Sequence, residues 1–517
     1  MVNEYILSLD TGTSGIKVSL FDRRGVEHYN NYLEYDTFYP AENMVEQSPY
    51  DWWGSFCKIT KNIFSETNVQ PSDIVCVAPS GQMAAVIPID EEGSLIIDPC
   101  MIWADLRADK EVDEVFDRIG GFEEFYRITG VAYNPATYSA FKIKWLKKNK
   151  PKIFYKAYKF LLSSKEFISY KLTHRIATDY SDASHTGFLD CSTKHWSKEI
   201  LSAVELDINR LPNIRYASEV LGSVTREAAK ETGLFESTPV CVGGGDVAIA
   251  AAGATSHKRK SCFIVLGSGF GVSIYLDKPV FNFQARLSNT RAVDGNGFVI
   301  EQGDFGGGIT YRWIRDIINI PELGISPPSF QDIDKLAEKV GVGANGLLFN
   351  SNLRIGGTLY QDSNLRGMFI GLSLNHTYAD MCRAVLEGVA LNIRLSIEHL
   401  VKNGIEIEEI YIVGGGSNSG LWRQIIADVI HRPICLLNVN QNVNTWGAAM
   451  CAGIAIGWYE DYESYQMLNK VKEITKPSRK YSLFYDKLYE VFLTSNYAML
   501  PSFNKLAGCR KLLDKIS

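Results

Sequence analysis

A single carboxylate that directly follows three glycines is the side chain of this sequence most clearly suited to catalysis. Asp246 holds that position in the stretch "VCVGGGDVAIAAAGA", residues 240–254, where an apolar run follows it. A carboxylate held among apolar residues is costly unless it has a partner or a task, and taking the proton of a substrate hydroxyl is such a task. Asp246 also suits the N-cap of the following helix, a role worth about 1 kcal/mol, and the residues alone leave both interpretations open.

Glycine-rich turns elsewhere in the chain have a composition that suits anion binding. The run "DTGTSGIK" contributes backbone N–H groups, the hydroxyls of Thr13 and Ser14, and the ammonium group of Lys17. Glycine allows backbone N–H groups to approach a ligand closely, and triphosphate oxygens fit such a turn. A plain hairpin turn is the alternative. Asp10, at the end of the preceding strand-like run, favours the functional interpretation because a buried acid is a natural partner for Mg²⁺ bound through water.

Several other classes of protein lack support in the sequence. There is no G-x-x-x-x-G-K-[ST] loop, and "GSGFG" at residues 267–271 runs toward a strand rather than a helix, which disfavours a dinucleotide site. The formal net charge of −6 disfavours a nucleic-acid partner. The first apolar run is too short for a signal peptide or for a membrane span of about 18 residues. The ten cysteines are scattered without a C-x-x-C pair, so we expect free thiols and a cytoplasmic protein.

The elements that must position these residues follow a repeated pattern. "YILSLD" and "IKVSLFD" predict two strands around the turn at Gly12, and "SCFIVLG" and "VSIYLD" predict the same device around Gly267. The glycine triplets that begin at Gly243 and Gly414 form a second predicted pair of strand-to-helix turns. Helical spacing of apolar residues predicts helices between the strands, among them "DWWGSFCKITKNIF" and "ADMCRAVLEGVALNIRLSIEHLVKNG". A chain of 517 residues with this alternation predicts a duplicated α/β architecture with a boundary near residue 256.

The chain resembles the FGGY family of carbohydrate kinases over essentially its whole length. The most specific stretch is "GMFIGLSLNHTYADMCRAVLE", residues 367–387, and "VGGGDVAIAAAG", "GGGSNSGLWRQIIAD" and "WGAAMCAG" fall in the family's order. The resemblance implies an α/β fold of two actin-like, ribonuclease H-like domains around a central cleft. It places sugar binding and the catalytic base in residues 1–255 and ATP in residues 256–517. A homodimer stays open, and neither a nucleic acid nor a membrane is implied.

The resemblance also implies roles for individual residues, with ATP and Mg²⁺ as cofactors and a small sugar as substrate. Asp246 stands at the position of the catalytic base, and Asp10 is the expected metal contact. The expected ATP contacts are Gly12, Thr13, Ser14 and Lys17 in the first phosphate turn, Gly267 and Ser268 in the second, Gly308, and the adenosine loop with Gly415, Gly416 and Asn418. At Gly269 the chain departs from the family, which usually has a hydroxyl-bearing residue there.

The identity of the sugar is less constrained. Glycerol kinases have Arg-Glu and xylulokinases Met-His where this chain has Met83 and Ala84, so the pattern favours a xylulose-like ketose while removing the xylulokinase histidine. The expected sugar contacts are Gln82, Met83, Ala84, Trp103, Asp105 and Asp246. For Trp103, Asp105 and Arg107, a structural salt bridge beside a core tryptophan is the alternative. Another polyol, a sugar acid or a deoxy sugar also stays open as the substrate.

Two further functions stay open on the residues. A sugar-sensing, nonenzymatic actin-like ATPase would keep the nucleotide turns, but it would not need both Asp246 and Asp10. An NAD(P)-linked dehydrogenase would need the dinucleotide fingerprint that the sequence lacks.

Overall fold

The described residues of the first half form one seven-stranded sheet, four two-stranded sheets and ten α-helices. The structure is a computed structural model that describes residues 4–255, 257–319, 326–353, 357–360, 362, 364–466 and 468–516. The strands of the first half are β1 (Tyr5–Thr11), β2 (Gly15–Asp22), β3 (Glu27–Glu34), β4 (Glu46–Gln47), β5 (Ile74–Gly81), β6 (Ile87–Ile89), β7 (Cys100–Met101), β8 (Lys159–Leu161), β9 (Ala177–Asp179), β10 (Leu189–Asp190), β11 (His195–Trp196), β12 (Asn213–Arg215), β13 (Val220–Ser223), β14 (Pro239–Cys241) and β15 (Gly244–Gly245). Its helices are α1 (Pro49–Glu66), α2 (Asp109–Ile119), α3 (Phe122–Thr129), α4 (Ser139–Asn149), α5 (Pro151–Lys156), α6 (Ser164–Thr173), α7 (Tyr180–His185), α8 (Lys198–Val204), α9 (Arg226–Thr232) and α10 (Asp246–Thr255).

The second half repeats the mixed sheet and ends in a long helix. Its strands are β16 (Ser261–Leu266), β17 (Phe270–Leu276), β18 (Ser288–Arg291), β19 (Phe298–Asp304), β20 (Leu348–Asn350), β21 (Met368–Ile370), β22 (Glu409–Val413), β23 (Ile434–Leu437) and β24 (Val471–Thr475). Its helices are α11 (Gly308–Asp316), α12 (Phe330–Lys339), α13 (Tyr378–Lys402), α14 (Gly420–Ile430), α15 (Val443–Ala455), α16 (Tyr462–Gln466) and α17 (Ser482–Ile516). The sequence predicts a domain boundary after residue 255. Residue 256, on the far side of that boundary, lies outside the described residues.

The two main sheets share the same arrangement of central strands. The first runs β13-β14-β5-β1-β2-β3, with β15 also paired to β5, and the second runs β18-β19-β17-β16-β22-β23-β24. In each sheet a hairpin (β1–β2 or β16–β17) pairs its first strand in parallel with a later strand, β5 or β22. The two strand–turn–strand devices predicted from the sequence are therefore confirmed, and so is the two-domain α/β fold.

The glycine triplets, by contrast, are not equivalent in the two sheets. The triplet at Gly243 follows β14, which is separated from β1 by β5, whereas the triplet at Gly414 follows β22, the direct neighbour of β16. The prediction of a matched pair is wrong on this point. Both turns need glycine for the same local reason, since each backbone passes too close to a neighbouring strand for a side chain.

The predicted helices form where their apolar residues can be buried. Helix α1 buries Trp52, Phe56, Ile59 and Ile63 on one side, as their spacing predicts. Helix α13 begins with a capping box between Thr377 and Asp380 and ends just before Gly404, whose φ of +78° suits the residue that follows a helix.

Helices α10 and α15 join the two halves by direct backbone contact. A Cβ at Gly447 would lie 2.2 Å from the carbonyl oxygen of Ile249, and a Cβ at Gly253 would lie 2.3 Å from that of Val443. One apolar cluster contains residues of both helices together with residues of both sheets. Glycine is required at this crossing because neither helix backbone has room for a side chain between them.

We predict that Gly447→Ala lowers the free energy of unfolding, although alanine is the better helix former. The added methyl group must push α10 and α15 apart, and overpacking of this kind costs about 1–3 kcal/mol. The control is Gly54→Ala in α1, where a Cβ would meet nothing within 4 Å and the change should add up to about 1 kcal/mol. Thermal unfolding of both variants checks this, and equal or higher stability of Gly447→Ala would contradict the contact.

Candidate active site

Asp246 is placed by a loop in which every glycine has a steric reason. Gly243 has φ +70°, and a Cβ there would lie 1.8 Å from the carbonyl oxygen of Pro79 on β5. A Cβ at Gly245 would lie 2.2 Å from the Sδ atom of Met83. Asp246 then begins α10, and its Oδ1 accepts the backbone N–H of Val247 at 2.8 Å. The other carboxylate oxygen has no protein hydrogen-bond partner among the described residues, so it is available to a ligand.

A buried lysine, paired with two buried aspartates, supports this loop. Lys165 Nζ lies 3.2 Å from Asp179 Oδ1 and 2.9 Å from Asp182 Oδ2, and all three side chains are buried. The second oxygen of Asp179 accepts the hydroxyl of Ser181, and that hydroxyl oxygen accepts the backbone N–H of Gly245 at 2.9 Å. The ion pair therefore fixes the residue immediately before Asp246 through two consecutive hydrogen bonds.

The side chain of Asp246 lines a cavity that is formed by residues from both halves of the chain. The cavity has a volume of about 190 Å³ and is lined by Thr13, Met83, Ala84, Trp103, Tyr133, Thr137, Tyr138, His185, Asp246, Val247 and Phe305. Drug-sized ligands occupy pockets of about 300–1,000 Å³, so this volume suits a smaller molecule. The indole of Trp103 contacts the ring of Phe305 with centroids 5.3 Å apart, which closes one wall of the cavity between the two halves.

The electrostatic surroundings of Asp246 favour its protonated form. Burial raises its pKa well above the ordinary value of an aspartate, and the negative charges of Asp10, Asp182 and Glu301 raise it further. Only the hydrogen bond from the Val247 backbone opposes this shift. A carboxylate with a raised pKa holds a proton more readily than a free aspartate does, which suits a group that accepts one during a reaction.

Asp10 is the second carboxylate of the cleft, and one of its oxygens lacks a partner. Asn444 of α15 donates to Asp10 Oδ2 at 3.1 Å, whereas the buried Oδ1 has no hydrogen-bond partner among the described residues. Burial raises the pKa of Asp10, against the effects of Asn444 and of Lys17, which lies opposite Asp10 in the β1–β2 ladder. A buried, unpartnered carboxylate oxygen fits Mg²⁺ or a water molecule of its coordination shell.

The first phosphate turn is tied to its surroundings by three side chains, of which only Gln47 was not singled out from the sequence. The hydroxyl oxygen of Thr13 accepts the indole N–H of Trp103 at 2.9 Å, and the carbonyl oxygen of Thr13 accepts Gln47 Nε2 at 2.6 Å. Lys17 donates to the backbone oxygen of Gln441 at 2.6 Å, across to the other half. The Ser14 side chain is exposed at the turn between β1 and β2, and a Cβ at Gly12 would meet only Gly15 O, at 3.5 Å.

The remaining predicted ATP contacts gather at the ends of β16 and β22. Gly308 donates its backbone N–H to Gly267 O at 2.8 Å, so that the start of α11 lies against the second turn. Gly414 and Gly416 pack on Leu266, the last residue of β16. Among the described residues, nothing lies within 4 Å of a Cβ built on Gly267 or Gly415. These two backbone segments face open space, as a ligand-binding turn must.

Two further sequence-predicted positions have clear structural surroundings. Gly415 and Gly416 lead into Asn418 within a short 3₁₀ turn before α14. Ser268 accepts the backbone N–H of Ile309 through its carbonyl oxygen at 2.8 Å. At Gly269, where the chain departs from the family, a Cβ would lie 2.7 Å from the carbonyl oxygen of Asp304, which explains the glycine.

Two of the predicted sugar contacts lie outside the cavity lining. Gln82 is buried beneath the first turn, where its side chain donates to Gln47 Oε1 at 2.7 Å. Asp105 is buried and binds Arg107, which also binds Glu46 at 2.6 Å and lies over the Trp145 ring. This placement favours the alternative interpretation of Asp105 and Arg107 as a structural salt bridge beside a tryptophan.

The cavity also contains residues that sequence reasoning missed. Tyr133, Thr137 and Tyr138 belong to the irregular segment before α4, which has no periodicity to reveal its orientation. His185 ends the short helix α7, and Phe305 directly precedes the glycines at 306–308. The one available signal was a histidine inside the motif "ATDYSDASHTGFLD", which supplies the only imidazole of the described lining.

Comparison with known proteins gives consistent results over the chain. Residues 5–253 match the FGGY family of carbohydrate kinases, N-terminal domain, and residues 262–456 match its C-terminal domain. A xylulose kinase of Staphylococcus epidermidis is 29% identical over 498 residues, with 95% of this chain and 96% of the relative covered. A gluconokinase of Bacillus licheniformis is 26% identical over 521 residues, with 99% of each chain covered.

Solved structures agree with these relatives. The structure of a ligand-bound xylulose kinase from Lactobacillus acidophilus superimposes with a TM-score of 0.88 at 25% identity, covering 97% of this chain and 100% of that one. In the part of the chain that the structure describes, no helix combines the length and the apolar character needed to cross a membrane. Two matched domains that together span most of the sequence establish the assignment: the chain belongs to the FGGY family of carbohydrate kinases.

Proposed function

We propose that this carbohydrate kinase transfers the γ-phosphoryl group of ATP to a hydroxyl of a small neutral sugar, a xylulose-like ketose, with Asp246 as the general base. The observation that carries the proposal is the position of Asp246 in a cavity of about 190 Å³ that also contains Thr13 of the first phosphate turn. A sugar hydroxyl in this cavity has the carboxylate on one side and the phosphate turn on another.

The chain's own groups supply the positioning that phosphoryl transfer needs. The unpartnered oxygen of Asp246 takes the hydroxyl proton while the sugar oxygen bonds to the γ-phosphorus and the bond from that phosphorus to the β–γ bridging oxygen breaks. The second turn and the open backbone at Gly267 and Gly415 hold the nucleotide, together with Gly308, Gly416 and Asn418. Trp103 fixes the Thr13 hydroxyl and, with Phe305, keeps water from one side of the cavity.

Asp10 is the residue that we propose as the Mg²⁺ contact, through its unpartnered Oδ1. Bound Mg²⁺ would neutralise charge on the phosphate oxygens. Lys17, paired with Asp10 across the hairpin, adds a positive charge on the same side.

The charges around the cavity support a neutral substrate over a sugar acid. Among the described residues that line it, none is a lysine or an arginine, and Asp246 is itself an acid. A carboxylate on the substrate would face Asp246 without a compensating guanidinium or ammonium group, and like charges in a desolvated site repel strongly. This argument separates the chain from its gluconokinase relatives and agrees with its xylulose kinase relatives.

Two further assignments belong to the same proposal. Residues 1–255 carry the sugar site and the base, and residues 256–517 carry the ATP site, with Phe305 as a contribution of the second half to the sugar cavity. A reducing, cytoplasmic compartment suits ten free cysteines, seven of them buried.

We predict that a screen of ADP release over ketoses, polyols and sugar acids identifies a neutral sugar of the D-xylulose type as substrate. Gluconate should have a kcat/KM lower by about tenfold or more, because the cavity offers no cation to its carboxylate. Phosphorylated sugar should form in equal amount to ADP. Preference for a sugar acid would refute the neutral-sugar assignment, and ADP release without phosphorylated sugar would identify a sensor-like ATPase.

We predict that Asp246→Asn retains ATP affinity but lowers kcat by about 10²–10⁴-fold, since the amide cannot take the hydroxyl proton. Isothermal calorimetry with ATP and single-turnover assays separate the two effects. The matched control is Asp105→Asn, a buried aspartate outside the cavity, which should lower thermal stability more than it lowers kcat. Turnover like that of the wild type in Asp246→Asn would remove this residue from the role of base.

We predict that the acid limb of kcat/KM against pH lies well above the ordinary aspartate pKa of about 3.9, because the base must be ionised and its pKa is raised. The folded state binds this proton more tightly than the unfolded chain does. The free energy of unfolding should therefore fall as pH rises from about 4 through the folded pKa, and Asp246→Asn should lack that decrease. An acid limb at or below pH 4 would contradict the raised pKa.

A further inference from the structure

His185 presents an imidazole to the sugar cavity from a direction that the family resemblance does not predict. It is the last residue of α7, its side chain is almost fully buried, and it lines the same cavity as Ala84 and Asp246. Its ring lies 5.9 Å from that of Tyr133 and 6.5 Å from that of Tyr138, measured between centroids. The imidazole is therefore held in place by aromatic walls.

The hydrogen bonds on one side of the ring determine which nitrogen carries the proton. His185 Nε2 lies 2.7 Å from Thr290 Oγ1 and 3.4 Å from Glu301 Oε1, and the Thr290 hydroxyl donates its proton to Glu301 Oε1 at 2.9 Å. The other oxygen of Glu301 accepts the hydroxyl of Tyr133 at 3.2 Å. Because the Thr290 proton is committed to the carboxylate, the Thr290 oxygen can only accept from His185, so Nε2 carries the hydrogen.

In the neutral imidazole, this assignment leaves Nδ1 as a hydrogen-bond acceptor. Among the described residues, Nδ1 of His185 has no hydrogen-bond partner, while the ring itself forms part of the cavity lining. Ala84 offers no side-chain acceptor and Met83 only a weak thioether one, and the cavity lining has no other imidazole among the described residues. A neutral sugar presents hydroxyl donors, which match an acceptor held at this position.

We propose that His185 is a specificity-determining residue whose Nδ1 accepts a hydrogen bond from a hydroxyl of the bound sugar, supplying from α7 the imidazole that Ala84 lacks. Thr290 and Glu301, both from the second half of the chain, are positioning residues that fix the ring and its protonation. This inference rests on the proposed function and names the hydroxyl-bearing class of substrate that the site selects.

The test compares three variants of His185 with D-xylulose, or with the best neutral sugar of the ADP-release screen. His185→Ala should raise KM by about 5- to 150-fold, the effect of leaving a substrate hydroxyl unpaired, with kcat changed far less. His185→Gln can keep a donor near Thr290 but has no acceptor at the Nδ1 position, so it should resemble His185→Ala. His185→Asn places an amide oxygen near the Nδ1 position and should recover part of the lost affinity.

A binding measurement without ATP makes the test independent of turnover. Titration of the sugar against intrinsic fluorescence, to which Trp103 in the cavity wall contributes, should give Kd values in the same order as KM. A KM and Kd for His185→Ala equal to those of the wild type would overturn the proposal. A His185→Asn variant no better than His185→Gln would overturn the assignment of the contact to Nδ1.

The positioning role has its own spectroscopic test. Nitrogen-15 NMR of the histidine rings should show a neutral His185 with its hydrogen on Nε2 in the wild type. A mixture of tautomers should appear in Thr290→Val/Glu301→Leu, which lacks both acceptors near Nε2. A wild-type ring with its hydrogen on Nδ1, or with hydrogens on both nitrogens, would refute the arrangement. The outcomes stay distinct, because the proposed function fails if the wild type phosphorylates no neutral sugar, whereas this inference fails if the wild type does and the His185 variants match it.

Discussion

The site depends on two carboxylates, Asp246 and Asp10, whose proton affinities are raised by their surroundings. Burial raises the pKa of both, the negative charge of Asp10 raises that of Asp246 further, and among the described residues neither forms a salt bridge. Such an arrangement opposes folding and persists only where the surrounding chain determines it fully. The glycines before Asp246 and the hydrogen bond from Asn444 to Asp10 provide that determination. A bound cation would reduce the repulsion between the two carboxylates, and a substrate hydroxyl could donate a hydrogen bond to one of them. The site therefore favours the binding of such ligands.

Lys165 is a buried cation beside the loop that leads to Asp246. Its single ammonium group pairs with both Asp179 and Asp182 in a part of the protein where an unpaired charge would be strongly destabilising. Because Ser181 connects Asp179 to the backbone of Gly245, the ion pair also determines the position of the loop that ends in the base. Stability and catalytic geometry are thus coupled, and a change in this layer would affect both.

The sequence predicted the two-domain fold and some residues of distinctive type, but it did not predict all the residues that line the cavity. Trp103 and Met83 line the cavity that contains Asp246, and their role as sugar contacts stays a prediction. Asp105 binds Arg107, two residues away. From the sequence alone, an aspartate in such a salt bridge cannot be distinguished from one that binds a ligand. Tyr133 and His185 were missed because an irregular segment and a short helix have no periodicity, and only the tertiary fold brings them beside residues of the other half.

The glycine contact between α10 and α15 has a consequence for how the cleft can change width. Asp246 begins one of these helices and Asn444, which holds Asp10, lies in the first turn of the other. With no side chains between them at Gly253 and Gly447, the two helix backbones lie in direct contact. Because points near a rotation axis travel least, any rotation of the two halves about this contact would change the spacing of the two acids less than the width of the outer cleft.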